Sequence, residues 1–496
     1  MTEKDYQKLG LKCGLEIHQQ LNSSRKLFCN CPTILRKDEP DFVIKRKFTP
    51  ILGELGELDL ASKYEASLAK EFFYQGYLDT NCSIECDEAP PLEIDKEALH
   101  VALQIVLLLN CKIVPITQIM RKTVIDGSNT SGFQRTVLIA RDGFVDTASG
   151  RVKISYVYLE EDSARKVKNP EGVEPEKISD KKITYRLDRL GIPLVEIVTA
   201  PDIKTPEQAK EVALFIGDLL RSCNVRRGIG TIRQDINVSI TGHPRVEIKG
   251  FQDPKIFVKV IENEIDRQQK NLEKIKSSGE VFFPEVRGAN PDTTTRYLRP
   301  LPGSARMYPE TDLPLLKISR NIIDNAKKNL PKIRGELESE LKQEGLSKEM
   351  ILLLLKSRKV EEFRELLAIL KKPELIVKML LIFPKEISTK RKIPFSEIEK
   401  KLNIETLSQI LENLKKGIIK ESEIKGALEK IIQGKNILEI TNTEKLNLED
   451  TEELILKIIN KKTGLSLNAY MGLVMAELKG KISGKEALEI IKKLIK

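Results

Sequence analysis

Residues 230–242, GTIRQDINVSITG, alternate with a period of two. Ile232, Ile236, Val238 and Ile240 fall on one face of an extended chain, and Arg233, Asp235 and Asn237 fall on the other. The second face is polar. HPRVEIKG, residues 243–250, alternates in the same way, so strands dominate this region of the chain. Two helical patterns interrupt them, KEALHVALQIVLLLN (96–110) and TPEQAKEVALFIGDLLRSC (205–223), the latter with Thr205 as its expected N-cap and Glu207 in its first turn. Up to about residue 316 short strands and helices share one α+β domain, heavily punctuated by Gly and Pro. Past residue 320 the composition turns to Lys, Glu, Leu and Ile with apolar spacings of three and four, which predicts helices. STKRKIPFSE (388–397) reads as a joint, because Pro394 disfavours helix at its own position and the one before. The expected domains are therefore 1–316, α+β and β-rich; 317–402, helical; and 403–496, a small helical tail.

A chain of 496 residues exceeds one ordinary core and suggests about two to four domains. Lys plus Arg number 83 against 73 Asp plus Glu, a net charge of +10, which suits a polyanionic partner and equally suits plain solubility. The opening MTEKDYQKLGLKCG has no apolar core behind a basic start, and apolar runs such as VALQIVLLL and ILLLL are far below a membrane span. A cytoplasmic protein without membrane association is expected. Seven cysteines without a secretory leader favour metal binding or inert burial over a disulfide framework.

In CGLEIHQQL (13–21), Glu16 and His18 project from one strand face while Leu15 and Ile17 pack on the other. A carboxylate beside an imidazole is a common metal-ligand pair, and a solvated strand face would look the same. Glu160, Glu161 and Asp162 stand in a row in YLEEDSAR, and Glu196 stands alone in the apolar run of LGIPLVEIVTAPD, where it needs a partner or a polar cleft. Cys29 and Cys31 in FCNCP and Cys82 and Cys86 in NCSIECDE form two short-spaced pairs that suit a tetrahedral zinc site; four unligated thiols are the alternative. MRKTVIDGSNTSGFQRT (120–136) sets Asn129, Ser131 and Gly132 between basic residues, as a phosphate-holding loop would, without being a Walker A loop.

Taken in order, GLEIHQQL, KLFCNCP, DEAPP, MRKTVIDGSNTSGFQRT, LEEDSAR, LDRLGIPLVEIVTAPDI, GTIRQDINVSI, RVEIKG and RPLPGSARMYPETDLP resemble the GatB/GatE family of tRNA-dependent amidotransferase subunits. IDGSNTSGFQRT, DEAPP and LPGSARMYPETD look more like GatE than GatB, and NAYMGLVMAELKGKISGKEALEIIKKLI looks like the family's YqeY-like tail. The resemblance implies a cradle domain that uses ATP and Mg2+ to phosphorylate the γ-carboxylate of glutamate misacylated on tRNA(Gln). Ammonia from a GatD-like glutaminase subunit, within a heterotetramer, then displaces phosphate. By motif it assigns Glu16, His18, Glu161 and Glu196 to catalysis and magnesium. Asn129, Ser131, Gly132, Arg189 of LDRLG and Arg233 of TIRQD are the candidates for nucleotide contact. Cys29, Cys31, Cys82 and Cys86 are the candidate structural Zn2+ ligands, and the tail is expected to hold tRNA by phosphate contacts.

GatE proteins usually carry an inserted domain related to one in bacterial aspartyl-tRNA synthetase. Here VFFPEVRGANPDTTTRYLRPLPG (281–303) leaves no room for one. That departure bears on how tRNA(Gln) is told from tRNA(Glu), and it keeps a GatB-like partnership with GatA and GatC as the alternative. A tRNA-binding scaffold without catalysis is the reading from another class.

Overall fold

The computed structural model describes residues 3–53, 56–167, 181–251, 256–303, 306–357, 359–434, 448–461, 464–478 and 484–495. The chain divides into two units, residues 1–334 and 335–496. The first is built on a sheet of eleven strands among the described residues. Its main strands are β1 (Lys12–Gln20), β2 (Ile119–Thr123), β3 (Phe133–Thr147), β4 (Gly150–Glu161), β5 (Pro193–Thr199), β6 (Ile232–Ser239), β7 (Val246–Phe251), β8 (Glu285–Ala289), β9 (Thr295–Pro300) and β10 (Met307–Pro309). Across the sheet they run β9-β8-β7-β6-β1-β5-β4-β3-β2-β10. The strand that carries Glu16 and His18 is therefore central, antiparallel to β6 on one side and β5 on the other.

Alternation gives the sheet two unlike faces. Leu15, Ile17, Val157, Leu159, Val195, Ile197, Ile236 and Val238 are buried on one of them, under helices α1 (Lys96–Leu108), α2 (Pro206–Ser222) and α3 (Phe257–Ser278). Truncating one of these side chains, such as Ile17, to Ala should cost about 2–5 kcal/mol. The helices begin where the sequence signals it. Thr205 is extended and its side chain accepts a hydrogen bond from the Gln208 amide at 3.1 Å, with Pro206 first in the helix, Glu207 in the first turn and Arg221 in the last. Asp95 caps α1 through the Ala98 amide at 2.8 Å. A second, four-stranded sheet (Phe42–Arg46, Glu71–Gly76, Arg165–Lys166, Lys182–Arg186) closes over a small core of Phe72, Tyr74, Cys86, Tyr185, Leu187 and Leu190.

Residues 335–496 are helical where described and hold two apolar cores, one spanning Leu341 to Ile432 and one spanning Ile455 to Ile491. The expected break at 402/403 falls inside the first core. Helices Ile404–Lys415 and Ile424–Ile432 bury Leu407, Ile410, Leu411 and Leu428 in the same cluster as Phe363, Leu366, Ile387 and Ile398, because their apolar stripes need that cover. Pro394 precedes helix Phe395–Lys401 as its N-cap and marks no domain boundary. At the other joint, helix Arg320–Lys328 packs on α1 and so belongs to the first unit, beyond the expected limit of 316. Among the described residues no helix is long and apolar enough to cross a membrane.

Candidate active site

The polar face of the large sheet brings Glu16, His18, Glu196 and Arg233 onto one floor. His18 stands directly opposite Glu196 on β5 and Arg233 on β6, and Glu16 stands opposite Asp235. Opposed residues of antiparallel strands share a face, so register alone assembles the group. His18 Nε2 lies 3.8 Å from Glu196 Oε2. The third member is Glu160, at the end of β4. One ligand atom each from His18, Glu160 and Glu196 lie within 4.8 Å of one another. Lys122 of β2 enters the same group, its Nζ 2.6 Å from Glu160 Oε1 and 3.5 Å from Glu196 Oε2. Glu160 also accepts from Gln134 Nε2 at 3.1 Å and from Thr136 Oγ1 at 2.8 Å.

A second acidic group, Glu16, Asp235 and Glu247, lies along the same floor. Lys249 holds it together by bonding Asp235 Oδ2 at 2.8 Å and Glu247. Burial, then repulsion from Glu247 and Glu196, pushes the Glu16 carboxyl up to about 7 against the pull of Lys249. Burial pushes His18 down to about 4, so at neutral pH the imidazole is uncharged and can offer a lone pair. Glu160 is raised by burial and by Glu196. Burial acts on Glu196 in the same direction, but Lys122 and the hydrogen bond with Glu160 outweigh it and hold Glu196 low.

Glu161, expected beside His18, faces the other way. Strand alternation puts Tyr156, Tyr158 and Glu160 on the polar face and Val157, Leu159 and Glu161 on the helix-covered one. Glu161 there accepts from the Arg135 amide at 3.2 Å and the Arg135 guanidinium at 3.4 Å. Arg135 in turn pairs at 2.8 Å with Glu310, fully buried and also bound by Arg121 at 2.6 Å. The SNTSG loop lies on this side too. Asn129, Ser131, Arg135 and Glu161 line a cavity of ≈ 20 Å³ with Lys26, Cys29 and Glu85. Gly132 turns the chain at φ +76° and gives its N–H to the Asn129 carbonyl. Arg189 and Arg233 both converge on Asp162, at 3.7 Å and 2.8 Å, with Gln20 Nε2 on the same carboxylate at 2.5 Å. Arg233 remains on the polar floor. Arg189 donates from Nε to the Ser163 carbonyl and from Nη2 to the Ala164 carbonyl.

Cys29, Cys31 and Cys82 come together, and Glu85 stands fourth in place of the expected Cys86. Residues 82–86 form one turn in which the Cys86 amide bonds the Cys82 carbonyl at 3.2 Å, and the Cys86 side chain drops into the small core with Phe72 and Tyr74. The neighbouring Cys29 and Cys31 thiols hold Cys82 low, and Cys31 and Cys82 in turn raise Cys29. Three sulfurs and a carboxylate are a donor set that suits a tetrahedral metal.

The profile of the GatB/GatE catalytic domain matches residues 11–324. The glutamyl-tRNA(Gln) amidotransferase GatE chain of Methanocaldococcus jannaschii is 36% identical and that of Sulfurisphaera tokodaii 34%, covering 100% and 99% of this chain and 100% of each relative. The corresponding GatE chain of Methanothermobacter thermautotrophicus is 35% identical over 73% of this chain and 77% of its own length.

The chain belongs to the GatB/GatE family, on the GatE side.

The alignment to the Methanocaldococcus GatE runs over 645 positions against a chain of 496 residues, so long stretches of that relative have no counterpart here. The matched segment contains both acidic groups, both lysines and the cysteine cluster. The floor also fits the divalent ion that the GatB/GatE chemistry implies. A neutral imidazole and two carboxylates are suitable donors, with Glu160 and Glu196 supplying the oxygens that magnesium prefers. Sequence reasoning misses Glu160 as a floor residue, although the Tyr-Val-Tyr-Leu alternation before it points there. It also misses Lys122, Lys249 and Glu247, and only strand register sets Asp235, already legible as a polar-face residue, opposite Glu16.

Proposed function

We propose that this chain converts glutamate misacylated on tRNA(Gln) to glutamine in an ATP-dependent reaction on the polar floor. A γ-carboxylate oxygen of the substrate attacks the γ-phosphorus of ATP and ADP leaves. Ammonia then attacks the acyl carbon, and inorganic phosphate leaves with the broken C–O bond. His18 Nε2, Glu160 and Glu196 would hold Mg2+, which when bound neutralises charge on the transferring phosphoryl group. The chain's own contribution is orientation. Gln134 and Thr136 aim Glu160, burial keeps His18 neutral, and Asp162 fixes Arg233 as a positive charge facing the floor. Asn129, Ser131, Gly132, Arg189 and Glu161 shape the wall behind the sheet and are given no nucleotide contact. Ammonia is supplied by a GatD-like glutaminase, Cys29, Cys31, Cys82 and Glu85 bind a structural Zn2+, and the C-terminal helices hold tRNA through its phosphates.

The observation that carries this reading is the convergence of His18, Glu160 and Glu196 within 4.8 Å on the polar face of the matched domain's sheet. Its test is glutaminyl-tRNA formation from glutamyl-tRNA(Gln), ATP and ammonium chloride. The chain alone should catalyse it, while glutamine should serve only when the glutaminase is added. Use of glutamine by the isolated chain would overturn this division of labour.

A further inference from the structure

Lys122 holds the oxygen that a metal at His18 would need. Its Nζ sits 3.5 Å from Glu196 Oε2, and His18 Nε2 lies 3.8 Å from the same oxygen. An ammonium and a divalent cation on one carboxylate oxygen compete, since like charges a few ångströms apart in a largely buried site repel strongly. Lys122 is also replaceable at its second contact. Glu160 keeps Gln134 on one oxygen and Thr136 on the other if the lysine leaves, so both its oxygens stay satisfied. The lysine itself has a flexible four-carbon stem, and its side chain keeps 12% exposure.

We propose that Lys122 is the resident cation of this site: it occupies the Glu160–Glu196 pair until a divalent ion enters, and then turns its ammonium onto the phosphoryl oxygens of the nucleotide. This rests on the reading of the floor as a metal-dependent phosphoryl-transfer site. Lys122 is thus a substrate-contacting residue that the metal releases. A lysine present only to neutralise buried acids would have no such exchange.

The two roles pull binding in opposite directions. Lys122→Met keeps the length of the stem and removes the charge, so Mn2+ should bind the nucleotide-free full chain at least about tenfold more tightly, measured by paramagnetic resonance or calorimetry. The same variant should bind a non-hydrolysable ATP analogue in saturating Mg2+ about tenfold more weakly. Lys122→Arg, which keeps the charge, should restore weak metal binding, and equal melting temperatures would confirm that the variants are folded. If Lys122→Met neither tightened metal binding nor weakened nucleotide binding while Glu196→Gln abolished Mn2+ binding, the exchange would be refuted and the metal site would stand. If Glu196→Gln bound Mn2+ normally as well, the site reading itself would fall.

Discussion

Glu16 is predicted to destabilise the folded protein at and above neutral pH. It faces Asp235 across the β1–β6 pair, Glu247 completes the group, and Lys249 is the cation that offsets them. Burial first, then Glu247 and Glu196, raise its carboxyl from 4.5 to about 7. The folded pKa lies above the unfolded one, so between pH 4.5 and 7 the native state keeps a proton that the unfolded chain has released. Stability from this group is therefore complete below pH 4.5 and lost as pH rises through 7, and at pH 8 the deficit is about 3 kcal/mol. Glu16→Gln preserves the shape and the oxygen that accepts from Asn237 Nδ2 at 2.9 Å, and it never ionises. The variant should be more stable than the parent by about 3 kcal/mol at pH 8 and by less than about 1 kcal/mol at pH 5. Urea unfolding followed by tyrosine signal suits the measurement, because the chain has no Trp and every Tyr except Tyr470 lies in residues 1–334. Equal or lower stability of the variant at pH 8, or a gain that persists unchanged at pH 5, would refute the claim that the floor crowds acids around a cation.

Cys82→Ser should lose the bound metal and Cys86→Ser should keep it, read by elemental analysis of protein purified without chelator; metal loss in both would restore Cys86 as a ligand. Arg135→Met leaves Glu310 and Glu161 short of a buried counter-charge and should cost about 3–5 kcal/mol in urea unfolding, with a loss under about 1 kcal/mol counting against the Arg121–Glu310–Arg135–Glu161 network. Removal of the chain after residue 434, which spares the core ending at Ile432, should weaken tRNA binding and flatten its salt dependence while nucleotide binding is unchanged; full tRNA affinity in the truncated protein would remove the tail from the interface.

The features legible in sequence are those governed by short-range rules. Period-two alternation places Glu16 and His18 on one face and gives Arg233 and Asp235 their side, and local capping chemistry marks the start of α2 at Thr205. Applied to YVYLEE, the same alternation separates Glu160 from Glu161; motif matching alone puts Glu161 on the floor, and the strand turns it away. Lys122 meets a glutamate 38 residues further along the chain, and Lys249 meets an aspartate 14 residues back across a strand pair. No local pattern encodes which residues register will oppose. Spacing groups Cys86 with the other thiols, but within a single turn Glu85 points to the cluster while Cys86 fills a core. The helical boundary is illegible at Pro394 because a proline looks the same in a linker and at a helix start.

The central claim is that the floor of His18, Glu160 and Glu196 activates the substrate carboxylate. The direct measurement is transfer of labelled γ-phosphate from ATP to glutamyl-tRNA(Gln) without ammonia, comparing the parent chain with Glu196→Gln and Glu161→Gln at equal tRNA occupancy. Glu196→Gln should lose at least about a hundredfold in rate, as expected when a ligand of the phosphoryl-transfer metal is removed, while Glu161→Gln keeps the chemistry to the extent that it keeps the fold. Undiminished phosphorylation by Glu196→Gln would place the active site elsewhere.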